Sequence, residues 1–349
     1  MVLIENRESE HKKDKSKKPN FKNGLVIGGA GLLGYEIANQ LYNKGVHVRI
    51  LDLVSASDDR FEEYLGDIRR LEDVLAACEG MDTVFQTAAA VWDPKNPPHL
   101  YDEVNIDGNA NIIKACQEKG VKRLVYTSTM DVVVDGKKPI VDGDESLPYP
   151  AKMPEDPYSR TKIIGEQMVL KANSSELFTC SLRPVGMYGP RDKYHLTNII
   201  KAVRSGSNFK LGNGSAKFSH IYSENAAHAH VLAAMHLLPG SLVAGNFYFL
   251  TDNDPAENLF DFMEPFLIGL GLQAPKRSIP YKMAYYMSYI NEKINPATNF
   301  NRFAVIQTCI DHTFVSTRAK KDFKYEPIVC REDAFKKTLD WFLKNIDNL

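Results

Sequence analysis

The chain has 349 residues, of which 44% are apolar and 25% charged, and its formal net charge is -1. This composition is typical of a globular protein, and the balanced charge excludes a general electrostatic attraction to nucleic acid or to an anionic surface. We therefore expect a small-molecule partner and no nucleic acid.

The first predicted segment is a charged tail over residues 1–22, in which lysines and acidic side chains are mixed. It contains no apolar stretch long enough for a signal peptide, and we exclude it from the fold. No run of about 18 or more apolar residues follows, so we predict no membrane span. The five cysteines are scattered without a C-x-x-C pair. This pattern is typical of reduced cysteines, and we expect a cytoplasmic protein.

From residue 24 onward, short apolar runs alternate with helical patterns. The runs are LVIGG, HVRILDL, DTVFQTAAA, RLVYTSTM and FTCSLRPVGMYGP, with amphipathic segments between them. Repeated strand–helix–strand units predict an α/β fold, a doubly wound parallel sheet of the Rossmann type. We predict a dinucleotide-binding domain over residues 23–190 with return elements over 220–252. Residues 191–219 and 253–349 are predicted to form a smaller substrate lobe.

The first apolar run leads into a glycine-rich turn with Gly28, Gly31 and Gly34 at three-residue spacing. Between a strand and a helix, such glycines allow a tight turn, a close approach of a pyrophosphate, and close packing of the helix on the strand. The N-terminus of the helix adds unpaired N–H groups that favour an anion. The turn therefore predicts dinucleotide binding.

Acidic residues follow the next two strands. Asp52 ends the second strand, at the spacing expected for a carboxylate that binds the adenosine ribose, and its charge would repel a 2′-phosphate. We therefore expect NAD rather than NADP, although Asp52 could also only cap the next turn. Asp67 and Ile68 follow the third strand and suit the edge and face of an adenine. A helix N-cap is the alternative for Asp67.

A candidate catalytic pair lies in DPYSRTKIIGEQ, where Tyr158 and Lys162 are one helical turn apart and share a face. A phenol is a poor base at neutral pH, and we expect the ammonium and a cationic nicotinamide ring to lower its pKa. Arg160 should lie on another face. The hydroxyls of Ser128 and Thr129 end the preceding strand, at the sheet edge where ligands of such folds collect.

These motifs, in this order and spacing, resemble the extended short-chain dehydrogenases, and most closely the 3β-hydroxysteroid dehydrogenase branch. The resemblance runs from about residue 24 nearly to the C-terminus. It is carried by VIGGAGLLG, LGDIRRLEDV, NIDGNANIIKAC, RLVYTSTMDV, YSRTK and LRPVGMYGPRD. Within that branch, SLPYP, KIIGEQMVLKAN and APKRSIPYKMAYY are similar to sterol-4α-carboxylate 3-dehydrogenases of the decarboxylating kind.

The resemblance implies roles for individual residues. The catalytic set would be Tyr158, Lys162 and the hydroxyl of Thr129, which replaces the family's serine, with Ser128 as the alternative. The residues implied in NAD binding are Gly28, Gly31, Leu33, Gly34, Asp52, Asp67, Ile68, Ala88, Ala89, Tyr158, Lys162, Pro184 and Val185. The implied reaction is oxidation of a sterol 3β-hydroxyl by NAD, with loss of a 4α-carboxyl group as carbon dioxide.

A cofactor-binding regulator without turnover is one alternative at the level of the sequence, and the presence of Tyr158 and Lys162 weighs against it. Two enzyme alternatives also remain. One is a plain 3β-hydroxysteroid dehydrogenase, with or without isomerase activity. The other is an epimerase or reductase for a nucleotide sugar or a β-keto acid, because the fold hosts all of these reactions.

The remaining features allow two readings each. In IPYKMAYYMSYI, over residues 279–290, Met283, Tyr286, Met287 and Ile290 share one helix face, for which a core or pocket lining is favoured over a surface that contacts a bilayer.

The stretch with Arg191, Lys193 and His195 could hold a substrate carboxylate or form a solvated loop. Trp92 could cover an apolar ligand or fill the interface between lobes. The spacing of His228 and His230 does not favour a metal site, and we expect no metal. We also expect a homodimer, with membrane contact at most at its periphery.

Overall fold

A computed structural model describes residues 18–206, 209–295 and 298–345. Its strands span Asn23–Ile27 (β1), His47–Asp52 (β2), Glu62–Leu65 (β3), Thr83–Gln86 (β4), Arg123–Thr127 (β5), Ile140–Gly143 (β6), Phe178–Pro184 (β7), Gly186–Tyr188 (β8), Phe209–Leu211 (β9), His220–Tyr222 (β10), Phe247–Leu250 (β11), Arg277–Ile279 (β12) and His312–Phe314 (β13).

The helices connect these strands and form the C-terminal part. They span Leu32–Asn43 (α1), Leu71–Cys78 (α2), Pro98–Asp102 (α3), Gly108–Glu118 (α4), Pro157–Lys171 (α5), His195–Arg204 (α6), Ser223–His236 (α7), Leu259–Gly269 (α8), Tyr281–Ile294 (α9), Arg302–Cys309 (α10), Thr317–Phe323 (α11) and Arg331–Asn345 (α12). A π-helical turn over Glu103–Asp107 joins α3 to α4, and a 3₁₀ turn over Met130–Val133 follows β5.

The central element is a 7-stranded parallel sheet with the order β3-β2-β1-β4-β5-β7-β11. The chain passes from the middle of the sheet outward to one edge and then from the middle to the other, which confirms the predicted doubly wound fold. Because every strand is parallel, the carboxyl ends of all seven lie at one edge. The loops that carry the predicted site residues therefore converge there.

Both faces of the sheet are covered, as a parallel sheet requires. On one face, α1 packs against α7, and Ile37, Leu41 and Val231 are fully buried. On the other face, α2 packs against α4, where Val74 and Ile112 are buried. A third apolar cluster joins residues of α6, α8 and α12 in the C-terminal part.

The predicted tail over residues 1–22 extends too far, because its last residues belong to the fold. Residues 1–17 of the tail lie outside the described residues, but Phe21 is only 6% exposed and its ring lies 6.2 Å from that of Phe85. The amide of Lys22 donates to Asp82. The charged residues before Phe21 gave no sign of its burial, and the fold begins at least two residues before β1.

The expectation that this face of α9 lines the core is also wrong, whereas lining of a pocket stays a prediction. Met283, Tyr286, Met287 and Ile290 are 51%, 64%, 43% and 40% exposed. The buried residues of this helix are the small Ala284 and Ser288. The spacing of these apolar residues correctly predicts a helix with one apolar face, but that face of α9 points away from the core.

Phe21→Ala tests the revised N-terminus. Removal of a buried aromatic ring should lower the free energy of unfolding by about 3 kcal/mol, measured by chemical denaturation. Phe209→Ala is the matched control, because this ring is 45% exposed and its loss should cost within about 0.5 kcal/mol. Equal losses in the two variants would contradict the assignment of Phe21 to the core.

Candidate active site

The glycine turn lies at the carboxyl edge of the sheet, between β1 and α1. Gly28 adopts a φ of +82°, and a Cβ there would lie 2.7 Å from the amide nitrogen of Ala88. A Cβ at Gly34 would lie 2.2 Å from the carbonyl oxygen of Gly28. At Gly31, by contrast, that same carbonyl is the nearest atom, at 3.2 Å. The first and third glycines are therefore needed for packing, and the second leaves room above the helix.

The N-terminus of α1 has the properties of an anion site. Gly31 is its N-cap and provides no side-chain cap. The first N–H groups of a helix have no partner within the helix, and the helix dipole makes this end positive. The turn therefore fits the pyrophosphate of a dinucleotide, as the sequence predicted. Leu33, in the first turn of α1, is buried at 4% exposure.

The two acidic residues have contacts of their own. Asp52 Oδ2 accepts from the amide of Ala30 at 3.0 Å, and Oδ1 from the amide of Val54 at 3.3 Å. Asp52 thus fastens the glycine turn to the end of β2, and each of its oxygens keeps a second lone pair. Asp67 forms an ion pair with Arg69 at 2.6 Å and accepts from the Arg69 amide. The bond from Val54 matches the turn-capping alternative for Asp52, whereas Asp67 is not a helix N-cap, because Arg70 holds that position before α2. The nucleotide roles of both residues stay predictions.

The other predicted cofactor residues also lie at this edge. Ala88 and Ala89 follow β4 and are partly exposed. Pro184 ends β7, and Val185 donates its amide to Leu250. Ile68 lies beneath α4, where a Cβ at Gly108 would be 2.7 Å from its side chain.

The predicted catalytic pair lies at the start of α5. Asp156 caps this helix by accepting from the amide of Ser159 at 2.7 Å, and Pro157 occupies the first turn. Lys162 is 3% exposed; its Nζ donates to the carbonyl of Thr127 at 2.7 Å and lies 4.3 Å from the centre of the Tyr126 ring. Burial lowers the pKa of Lys162 to about 7, against the opposing effect of Glu166.

Tyr158 lies near Thr129 at the end of β5, close enough for the threonine hydroxyl to affect the phenol. The expected lowering of the phenol pKa is not seen in the protein alone. Burial and the carboxylate of Asp131 raise the pKa of Tyr158, and the nearby Thr129 hydroxyl opposes them. The Nζ of Lys162 is held by the Thr127 carbonyl and lies over the Tyr126 ring.

The two candidate hydroxyls have different surroundings. Thr129 contacts Tyr158, whereas Ser128 Oγ is buried without a hydrogen-bond partner among the described residues. The backbone of Ser128 is fixed by donation to the carbonyl of Leu182 at 2.7 Å. The geometry thus favours Thr129 as the partner of Tyr158.

The carboxylate of Asp131, which is not among the predicted site residues, lies beside this pair. Asp131 Oδ2 accepts from the hydroxyl of Thr129 at 2.8 Å, and Oδ1 accepts from Nε2 of Gln307 in α10. The sequence offered only one signal, an acidic residue two positions after Thr129. Its partner is 176 residues away along the chain.

Several other predicted residues are engaged elsewhere. Arg160 pairs with Asp102 at 2.7 Å. The Arg191 guanidinium lies 3.6 Å from the centre of the Tyr35 ring, and His195 faces His220. Lys193 is exposed.

Trp92 and His230 also have defined partners. Trp92 stacks on Phe303 of α10, with ring centres 5.3 Å apart. His230 donates to the carbonyl of Ala226 and accepts from the hydroxyl of Thr127. Across the described parts of the chain, no group of three or more His, Cys, Asp or Glu side chains is placed to hold a metal ion.

This arrangement can hold one oxygen atom of a ligand. Two adjacent hydroxyls, Tyr158 and Thr129, can both bind it, and a buried cation lies one helical turn behind. Such a pair can remove a proton from an alcohol and can stabilise negative charge on its oxygen.

Comparison with known proteins identifies related sequences over most of the chain. Residues 25–281 match the model of the 3-beta hydroxysteroid dehydrogenase/isomerase family. The decarboxylating sterol-4-alpha-carboxylate 3-dehydrogenase of Mus musculus is 34% identical and aligns with 92% of this chain and 91% of its own length. The 3beta-hydroxysteroid-dehydrogenase/decarboxylase isoform 1 of Arabidopsis thaliana is 35% identical over 91% of this chain and 79% of its own.

Solved structures share the fold. An epimerase from Methanothermobacter thermautotrophicus superposes with a TM-score of 0.77 at 21% identity and covers 96% of both chains. At this level of identity the likeness concerns the fold alone.

A comparison of Gly34→Ala with Gly31→Ala tests which glycine of the turn is needed for packing and which one has free space around it. Gly34→Ala forces a methyl group onto a backbone oxygen and should lower the free energy of unfolding by about 2 kcal/mol or more. Gly31→Ala meets no atom nearer than 3.2 Å and should cost clearly less. Thermal and chemical unfolding measure both, and an equal loss in the two variants would contradict the geometry.

Proposed function

Since the chain belongs to the 3-beta hydroxysteroid dehydrogenase/isomerase family, we propose that it oxidises the 3β-hydroxyl of a sterol or steroid to the ketone with NAD. We propose further that a 4α-carboxysterol substrate loses its carboxyl group as carbon dioxide. The observation that carries the proposal is the Tyr158–Thr129 hydroxyl pair at the carboxyl edge of the sheet, beside the buried Lys162.

The glycine turn supports the cofactor assignment. We propose that Gly28, Gly31, Leu33 and Gly34 hold the pyrophosphate, and Asp52 the ribose. Asp67 and Ile68 would hold the adenine, with Ala88, Ala89, Pro184 and Val185 along the rest of the cofactor and Tyr158 and Lys162 beside its nicotinamide ribose. NAD bound there would supply the acceptor for the hydride of the substrate carbon, and its cationic ring would favour the phenolate of Tyr158. The second lone pairs of the Asp52 oxygens can accept bonds from a ribose hydroxyl, and their charge disfavours a 2′-phosphate.

In the proposed reaction, Tyr158 removes the proton from the substrate hydroxyl, and Thr129 donates a hydrogen bond to the same oxygen. Burial and Asp131 keep the phenol protonated at neutral pH in the protein alone. Deprotonation of Tyr158 therefore belongs to the complex with substrate and oxidised cofactor. Above about pH 7, the reaction should become faster with rising pH in the oxidative direction.

The same two hydroxyls serve the second step. Oxidation beside a 4α-carboxylate yields a β-keto acid, in which the bond from C4 to the carboxylate can break with its electrons passing into an enolate. Donors already placed at the C3 oxygen stabilise that enolate, and C4 then takes up a proton. Decarboxylation thus requires no additional catalytic group.

Two other activities are the alternatives to this proposal. A plain 3β-hydroxysteroid dehydrogenase, with or without isomerase activity, uses the same hydroxyl pair but a substrate without the carboxyl group. An epimerase or reductase for a nucleotide sugar or β-keto acid shares the fold. The names of the mouse and Arabidopsis relatives favour the decarboxylating reaction.

We also propose that the exposed face of α9 contacts a membrane surface peripherally. Met283, Tyr286, Met287 and Ile290 form an apolar face, and Lys282 and Lys293 on the same helix would favour anionic headgroups. No helix within the described residues is long and apolar enough to cross a bilayer. A homodimer, a cytoplasmic location and the limits of the two lobes remain predictions.

Turnover of a 4α-carboxy-3β-hydroxysterol tests the proposed function. The purified protein with NAD should form NADH and a 3-ketosterol one carbon shorter, followed by absorbance and product mass. NADP should be used poorly, and the analogue without the carboxyl group should react more slowly. Turnover of only that analogue would indicate a plain 3β-hydroxysteroid dehydrogenase. Binding of a nucleotide sugar with no sterol turnover would contradict the steroid assignment.

Substitutions at three hydroxyls test the catalytic assignment. Tyr158→Phe should nearly abolish turnover while NAD still binds, because only the proton-transfer group is lost. Thr129→Ala should lower kcat by about 10²-fold, as expected for one lost donor to a developing charge. Ser128→Ala is the matched control and should lower kcat by less than about fivefold. A larger effect of Ser128→Ala than of Thr129→Ala would reverse the assignment.

A further inference from the structure

Asp131 and Gln307 connect the catalytic hydroxyls to the C-terminal part of the chain. The hydroxyl of Thr129 donates to Asp131 Oδ2 at 2.8 Å, and the amide of Asp131 returns a bond to Thr129 Oγ1 at 3.3 Å. Gln307 donates to the other carboxylate oxygen. The chain of bonds thus runs from Thr129, which lies near Tyr158, through Asp131 to α10.

This chain restricts what Thr129 can do. A threonine hydroxyl has a single proton to donate. An ionised carboxylate only accepts, so ionised Asp131 takes the proton that Thr129 needs for the substrate oxygen. Protonated Asp131 can instead donate to Thr129 Oγ1, which leaves the threonine proton for the substrate.

We propose that Asp131 is a positioning residue that sets the direction of the Thr129 hydrogen bond, and that Gln307 holds Asp131 for this purpose. The proposal rests on the proposed dehydrogenase function. It assigns to Asp131 no contact with the substrate. Its effect passes entirely through Thr129.

The surroundings of Asp131 make both charge states accessible near neutral pH. The groups that face it are Thr129 beside it on the β5 loop, Tyr158 and Asp156 on α5, and Gln307 on α10. Burial and the Asp156 carboxylate raise the pKa of Asp131 to about 6, while the bonds from Thr129 and Gln307 oppose this rise. Protonation is therefore within reach of the physiological range.

The position of Gln307 suggests why the fold maintains this contact. Phe303 and Gln307 are one turn apart in α10 and share a helix face. Phe303 stacks on Trp92 in the loop after β4, and Gln307 binds Asp131 after β5. One helix is thereby held at two points next to the catalytic hydroxyls.

Reduction of a 3-ketosteroid by NADH gives the clearest test. In this direction Tyr158 must carry its proton, and its raised pKa keeps it protonated between pH 5 and pH 8. Asp131 should then be the group whose ionisation limits the rate. We expect the wild-type kcat to fall about tenfold between pH 5 and pH 7, with little change in KM.

Asp131→Asn supplies the decisive variant. Its amide can donate to Thr129 and accept from Gln307 at every pH, as protonated Asp131 does. Its kcat should vary less than about twofold over the same range and stay near the wild-type value at low pH. Gln307→Ala should move the wild-type pH dependence to higher pH, because a bond that favours the ionised carboxylate is lost. Parallel pH profiles of wild type and Asp131→Asn would overturn the proposal.

Thermal unfolding tests the ionisation of Asp131 without enzyme activity. A carboxyl whose pKa is raised in the folded state stabilises the fold fully below its unfolded pKa and loses that effect as pH rises through about 6. The melting temperature of wild type should therefore rise relative to that of Asp131→Asn as pH falls from 8 to 4.5. A constant difference would overturn the proposal. Failure of the wild type to reduce any ketosteroid would instead contradict the proposed function.

Discussion

The buried ion pair of Glu166 and Arg183 fixes the position of α5, the helix that carries Tyr158 and Lys162. Both side chains are at most 1% exposed, and Glu166 accepts from Arg183 Nη2 at 2.6 Å, from Ser181 at 2.7 Å and from Tyr149 at 2.6 Å. Breaking a buried ion pair leaves an uncompensated charge, so these bonds favour one position of α5 against β7. Lys162 and Tyr158 lie one and two turns before Glu166. The pair therefore determines where these residues meet the end of β5.

From that point, short contacts define the rest of the site. Lys162 holds the carbonyl of Thr127, and the Thr127 hydroxyl is fixed by His230 of α7. Thr129 then follows with its hydroxyl at Tyr158, and Asp131 carries the connection on to α10. Helices from both faces of the sheet and from the C-terminal part thus converge on a few residues after β5. This convergence explains how a common fold can present a specific pair of hydroxyls.

The sequence predicted what depends on local spacing. The glycine turn and the shared helix face of Tyr158 and Lys162 follow from neighbouring residues, and the strand–helix alternation from periodicity. Prediction from the sequence failed for features that depend on packing between distant parts of the chain. Phe21 is buried despite its charged surroundings, and the apolar face of α9 is exposed. No pattern could join Asp131 to Gln307, because that contact exists only after the chain has folded.

Transfer of the C3 hydrogen tests the central claim most directly. A 4α-carboxy-3β-hydroxysterol with deuterium at C3 would be oxidised with NAD, and the reduced cofactor analysed by mass spectrometry. We predict one deuterium atom in the cofactor for each ketone formed, and loss of this transfer in Tyr158→Phe. Product that forms without deuterium in the cofactor would contradict a dehydrogenase built on the Tyr158–Thr129 pair.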